Sequence, residues 1–190
     1  MNKDLSRIIE IPAGIEVSVD DKEVTVKGSG KELVKTFDMG KVAVSVTEVT
    51  GDGSQATSKQ IELSAKGATR RESKMIGTIW AHLKNMIKGI QEGFVYELEI
   101  CNVHFPMNVK KEGDRIVIKS FLGEKAERVS NILANVDVEI KGSAITVTSH
   151  DIEAAGQTAA NLEKATRLTG RDRRIFQDGI FITNKCGRAI

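Results

Sequence analysis

Cysteine is scarce in this chain: Cys101 and Cys186 are the two in 190 residues, far apart and outside any Cys-x-x-Cys pair. That spacing excludes a zinc ribbon and a disulfide framework, and free thiols are expected. No apolar run approaches the roughly 20 residues needed to cross a bilayer. Residues 1–12 (MNKDLSRIIEIP) lack the apolar core and small-residue cleavage site of a signal peptide, so a cytoplasmic location and no membrane partner are expected. Aromatic residues make up 4% of the chain, too few for an extensive base-stacking surface, so Phe176 and Phe181 are read first as core anchors. A net charge of +2 is also small for a nucleic-acid binder, and the whole-chain sum excludes a uniformly basic surface.

What is present is 40% apolar residues, enough for a real core, with 28% charged residues to solvate a surface. The charge is segregated: −3 over residues 1–65, +5 over 66–90, −5 over 91–163 and +5 over 164–190. Acidic then basic, twice over, is a period of about half the chain. The apolar pattern repeats with it. Alternation at Ile11, Ile15, Val17 and Val19, broken by Pro12 and Gly14, predicts strand, turn, strand. Asp20-Asp21-Lys22 is a polar turn, Glu23–Lys27 a return strand, and Gly28-Ser29-Gly30-Lys31 a glycine-rich loop. Leu33, Val34 and Phe37 restart the apolar run, and Val42, Val44, Val46 and Val49 predict a further strand. A turn at Thr50–Ser54 and a strand at Gln60–Lys66 complete an antiparallel meander.

From Thr69 the period changes. Ile76, Ile79, Trp80, Leu83, Met86, Ile87 and Ile90 form one helical face, with Arg70, Arg71, Lys74, Lys84 and Lys88 off it. The plan then restarts. Phe94–Ile100 is a strand, HFPMNV (104–109) echoes EIPAGI (10–15), and RIVIK (115–119) echoes EVTVK (23–27). Val136–Ile140 and Ala144–Thr148 match the later strands, and Ile152, Ala155, Ala159, Leu162 and Thr166 give a second, alanine-rich helical face. The expected fold is α+β: two tandemly duplicated domains, 1–91 and 92–190, each an antiparallel β-sheet packed with one α-helix, the second extended by a basic C-terminal arm.

That arm, KATRLTGRDRRIFQDGIFITNKCGR (164–188), has seven basic side chains against Asp172 and Asp178. Five are Arg, whose planar fork suits phosphate better than a lysine point charge. Ile175, Phe176, Ile180, Phe181 and Ile182 are spaced to pin it to a globular body. Asp178-Gly179 between alternating apolar residues predicts a hairpin turn, with a single strand bent at Gly179 as the alternative. Other motifs carry less. Gly28-Ser29-Gly30-Lys31 lacks the first Gly and the Ser/Thr of a Walker loop, Cys101-x-x-His104 lacks the further ligands zinc needs, and His82 and His150 have no nucleophile nearby in sequence. No catalytic or metal constellation is legible.

Five stretches carry a family likeness: IEIPAGIEVSVDDKEVTVKGSGKEL (9–33), HLKNMIKGIQEGF (82–94), HFPMNV (104–109), IKSFLGEKAERV (118–129) and RRIFQDGIFI (173–182). The chain resembles the L-six family of large-subunit ribosomal proteins in its archaeal and eukaryotic form. Ser29 and Glu127 stand where that family commonly has Pro, which affects loop stiffness rather than identity. The resemblance implies no enzymatic activity and no cofactor. It implies binding to large-subunit rRNA mainly through the second domain, near the sarcin–ricin region where translation factors dock, with neighbouring ribosomal proteins as further partners. It assigns Arg171, Arg173 and Arg174 to RNA and Phe176, Asp178 and Gly179 to shaping the arm. Charge and position add Arg167, Lys185 and Arg188. A free-standing RNA-binding regulator is the alternative; an enzyme would need a cleft joining Cys101, His104 and a carboxylate.

Overall fold

The computed structural model describes residues 3–20, 22–50 and 57–190, which fall into two compact units, Met1–Glu92 and Gly93–Ile190. Residues 51–54 of the expected turn at 50–54 and the middle of the one at 20–22 lie outside the described residues.

The first unit runs β1 (Lys3–Glu10), β2 (Ile15–Asp20), β3 (Glu23–Gly28), β4 (Lys31–Thr36), β5 (Ala43–Thr50), β6 (Thr57–Ala68) and α1 (Arg70–Gln91). All its pairings are antiparallel, but they make two three-stranded sheets, β2-β3-β4 and β1-β6-β5, rather than a single meander. The difference is β1, which pairs with β6 across most of the unit, and apolar alternation names a strand without naming its partner. Ser29 and Gly30, both at positive φ (51° and 74°), form the two-residue link between β3 and β4. The glycine-rich loop is therefore a hairpin turn of the primed kind, leading into a strand and not a phosphate-binding helix.

Helix α1 starts at Thr69, as the change of period predicts. The Thr69 side chain accepts from Arg71 N, and Glu72 reaches back to Thr69 N at 2.9 Å, a capping box that satisfies otherwise orphaned donors. Ile76, Ile79, Leu83, Met86, Ile87 and Ile90 are buried with Ile61 and Leu63 of β6 and Val24 and Val26 of β3, so both sheets share one core.

The second unit repeats the order: β7 (Phe94–Cys101), β8 (Asn108–Glu112), β9 (Arg115–Lys119), β10 (Arg128–Asn131), β11 (Val136–Lys141), β12 (Ala144–Ser149) and α2 (Ile152–Ala165). Its small sheet is β10-β9-β8, and its large sheet contains β11-β12-β7, the same order as β5-β6-β1. The duplication is thus a duplication of pairing, not just of strand-like segments. Helix α2 lies close on its sheet because its inner face is small: Ala155 and Ala159 are fully buried, and a Cβ on Gly156 would meet Tyr96 Oη at 3.0 Å. Burial, with Cys186 nearby, raises the Tyr96 pKa to about 12, so the phenol stays neutral.

The chain beyond α2 departs from the repeat. Two further strands, β13 (Gly179–Lys185) and β14 (Arg188–Ala189), extend the large sheet to β11-β12-β7-β13-β14. The C-terminal segment is therefore built into the fold instead of hanging off it. Gly179 opens a strand, so Asp178-Gly179 is not a hairpin turn; the hairpin is one strand later, at Cys186-Gly187, with φ of 50° and 86°.

Candidate nucleic-acid interface

Between α2 and β13 the chain makes an irregular loop, residues 167–178, anchored at both ends by buried polar groups. At the near end Thr166, 4% exposed, accepts from Ile180 N at 2.9 Å through its hydroxyl. At the far end Asp178 is 1% exposed, and its carboxylate accepts from the backbone N–H groups of Val103 and His104, the latter at 3.0 Å. Burial acts to raise the Asp178 pKa. The Val103 and His104 N–H bonds, the His104 charge and a Phe105 N–H contribution outweigh it, so the carboxyl sits below the usual aspartate value. Ile180, directly beyond, has no exposed surface. A buried charge with its acceptors occupied is a rigid foot for a loop.

On that base stand Arg167, Arg171, Arg173 and Arg174, all exposed. Among the described residues none of the four is held in a salt bridge. Arg167 and Arg173 line one groove of about 520 Å³ with Lys164, Phe176 and Phe181. The Arg171 guanidinium lies over the Phe176 ring at 5.0 Å, and that ring stacks at 5.1 Å on His104, which closes back on Asp178. Phe176 is therefore half-buried scaffold for an arginine, which is how it shapes the segment. Asp172 turns the loop, its side chain accepting from Arg174 N at 2.9 Å.

Three placements differ from expectation. Ile175, read as an anchor, stands 62% exposed at the tip of the turn among the arginines. Gly179, expected in a turn, is buried at the start of β13, and a Cβ there would meet the Phe181 ring at 3.0 Å, so its missing side chain serves packing inside the unit. Lys185 and Arg188 are exposed and paired with each other across the β13–β14 hairpin. Gly179 pairs with Cys101 and Lys185 with Tyr96, so this hairpin is about 20 Å along the strand from the arginine loop. The basic residues form two groups, not one continuous strip.

Arg128 is a residue the sequence reading missed. It grips Glu124 through both carboxylate oxygens (2.6 and 2.8 Å), covers the Phe121 ring at 4.3 Å, and donates to the carbonyls of Ala165 and Arg167. It ties the end of α2 and the start of the loop to residues 121–128. Its i,i+4 spacing from Glu124 was the available signal, since such pairs are usually helical and this one is not.

The groove also brings Cys101 near Asp178, with His104 on the same carboxylate. The chemistry does not suit a nucleophile. Burial, then the charges of Glu99 and Asp178, push the Cys101 thiol up, away from thiolate. Asp178 spends its lone pairs on backbone N–H groups.

The comparisons with known proteins bear on this pair of units directly. The family model described as ribosomal protein L6 matches the chain in two stretches, residues 11–93 and 105–179. The chain belongs to the ribosomal protein L6 family. Among archaeal relatives, the large ribosomal subunit protein uL6 of Methanobrevibacter smithii is 41% identical over 177 residues, 93% of this chain and 94% of that protein. The uL6 protein of Ignicoccus hospitalis is 40% identical over 176 residues, covering 92% and 91%, and that of Methanosarcina mazei 39% over 185 residues, covering 97% and 99%. As an L6 family member the chain has a structural, ribosomal role. The second L6 match stops at Gly179, where β13 begins, so the strands beyond the internal repeat also lie beyond the repeated family unit.

Proposed function

We propose that this L6 family protein is a constituent of the large ribosomal subunit in the cytoplasm, where it binds large-subunit rRNA through the second unit. The observation that carries this is the arginine loop: Arg167, Arg171, Arg173 and Arg174 exposed and, among the described residues, free of salt bridges on a segment footed by Thr166 and Asp178. A-form RNA hides its base edges in a deep, narrow groove, so a rigid protein reads phosphates, 2′-hydroxyls and shape. Arginines held from below by packing supply the phosphate contacts and set register. Ile175 at the tip is placed to touch a sugar face or a splayed base. Lys185 and Arg188 make a second, separate contact with the backbone. The site on the subunit is the sarcin–ricin neighbourhood, with neighbouring ribosomal proteins as partners and translation factors docking nearby. The protein needs no cofactor and catalyses no reaction in this role. The two compact units support reading the domains as 1–91 and 92–190.

The alternative, a free-standing regulator on the same scaffold, is separated by sedimentation. The protein is expected to stay with large subunits through a moderate-salt wash. Release into the supernatant while subunits remain intact would favour the regulator.

A further inference from the structure

The internal repeat supplies a comparison that the family likeness does not. In the second unit, β7 is paired on both edges, with β12 on one side and β13 on the other. In the first unit its counterpart β1 pairs with β6 alone, and among the described residues no strand occupies its other edge. The direction of the open groups can be read from two bonds. Ile11 N donates to Lys59 O of β6 at 2.9 Å, whereas Ile8 O accepts from the Trp80 indole N–H at 3.4 Å, on the opposite side. Backbone groups alternate sides along a strand, so Ser6 and Glu10 present N–H and C=O on the open edge, and Ile8 presents its N–H while its C=O is taken by Trp80. An unprotected edge of this kind is a template for another strand.

Beside that edge lies a groove of about 720 Å³ whose apolar lining includes Ile9, Pro12, Trp80 and Ile87. Its counterpart in the second unit is filled. There Ile180 of β13 is wholly buried in the same core as Leu162 of α2. Trp80 and Leu162 each stand eleven residues after the cap of their helix, Thr69 and Asp151. Leu162 has no exposed surface, whereas Trp80 is partly buried, with the cations of Arg7 (5.6 Å) and Lys84 (5.1 Å) over its ring.

We infer that the open edge of β1, with the Trp80 groove beside it, is a docking site for an extended segment of a neighbouring protein, which adds to the first unit as β13 adds to the second. The segment lies antiparallel to β1, sets an aliphatic side chain over Ile9 and Ile87, and brings a carboxylate toward Arg7 or Lys84. Main-chain hydrogen bonds supply the pairing and the groove supplies the selectivity. This deepens the ribosomal reading, because it says how one protein neighbour is held, and it rests on that reading for the partner's source.

The probe is a synthetic peptide of β13 with its preceding residue, DGIFITNK, added to the purified full chain. Trp80 is the sole tryptophan, so its emission reports the first unit alone. The peptide is expected to shift Trp80 emission saturably. Ile8→Pro, which removes an outward N–H without touching the β1–β6 ladder, should weaken binding about tenfold. A peptide N-methylated at alternate amides should lose binding similarly, and this arm stands even if the proline variant does not fold. No emission change at millimolar peptide, or equal binding by Ile8→Pro and by the N-methylated peptide, would overturn the proposal. So would an rRNA fragment that shifts Trp80 and displaces the peptide, since the face would then belong to RNA. Because the test uses the isolated chain, release in the salt wash with peptide docking intact would fault the ribosomal reading alone.

Discussion

Replacing Arg171, Arg173 and Arg174 together with Ala will weaken binding to large-subunit rRNA by about tenfold or more at physiological salt and flatten its salt dependence. Each arginine on a phosphate contributes roughly one to the slope of log affinity against log salt, so the triple variant should lose roughly two to three. The fold should survive, because all three side chains are exposed and none is in a salt bridge among the described residues. Arg171 alone has a packing role, over Phe176, so its loss should also loosen that ring. Lysine at the three positions keeps the charge but not the planar fork, and should restore the slope better than the affinity. A triple variant with the salt slope of the parent would remove the loop from RNA binding altogether.

The second large effect concerns the foot of the loop. Asp178→Ala leaves the buried N–H groups of Val103 and His104 without their acceptor, and should destabilise the second unit by about 3 kcal/mol or more, read as a lowered urea midpoint. The same group predicts a pH dependence. Its pKa in the folded chain is depressed below the ordinary 3.8, so its stabilisation is complete above that value and is lost as pH falls through the lower, folded one. Asp178→Asn should be less costly than Ala at neutral pH and should remove this acid-side loss. An Ala variant as stable as the parent would mean that the two N–H groups find other partners, and the loop would no longer be pre-positioned by Asp178.

How much of this was legible in the sequence depends on how local each cause is. Helix α1 was readable because its face, from Ile76 to Ile90, and its cap at Thr69 are short-range features. The duplication was readable because element order survives sequence drift. The two sheets per unit were not, because β1 finds β6 across most of the unit and alternation is silent about partners. Asp178-Gly179 misled for a similar reason. It has the residues of a tight turn, but the Asp178 carboxylate is claimed by N–H groups of residues 103 and 104. The real hairpin uses Cys186-Gly187, a pair in which only the glycine advertises a turn. Apolar spacing points Ile175 inward, but residues 173–175 form a turn, and spacing has no face to belong to outside a strand. The arginines were visible as composition; their grouping into a loop and a distant hairpin required the strand between them.

If the loop tip faces rRNA, a photo-crosslinker at Ile175, 62% exposed, will reach it. Ile175 replaced by a benzophenone-bearing phenylalanine, assembled into large subunits and irradiated, should attach to large-subunit rRNA in the sarcin–ricin neighbourhood. Attachment to protein alone, with no rRNA adduct from assembled subunits, would mean that the loop does not face rRNA.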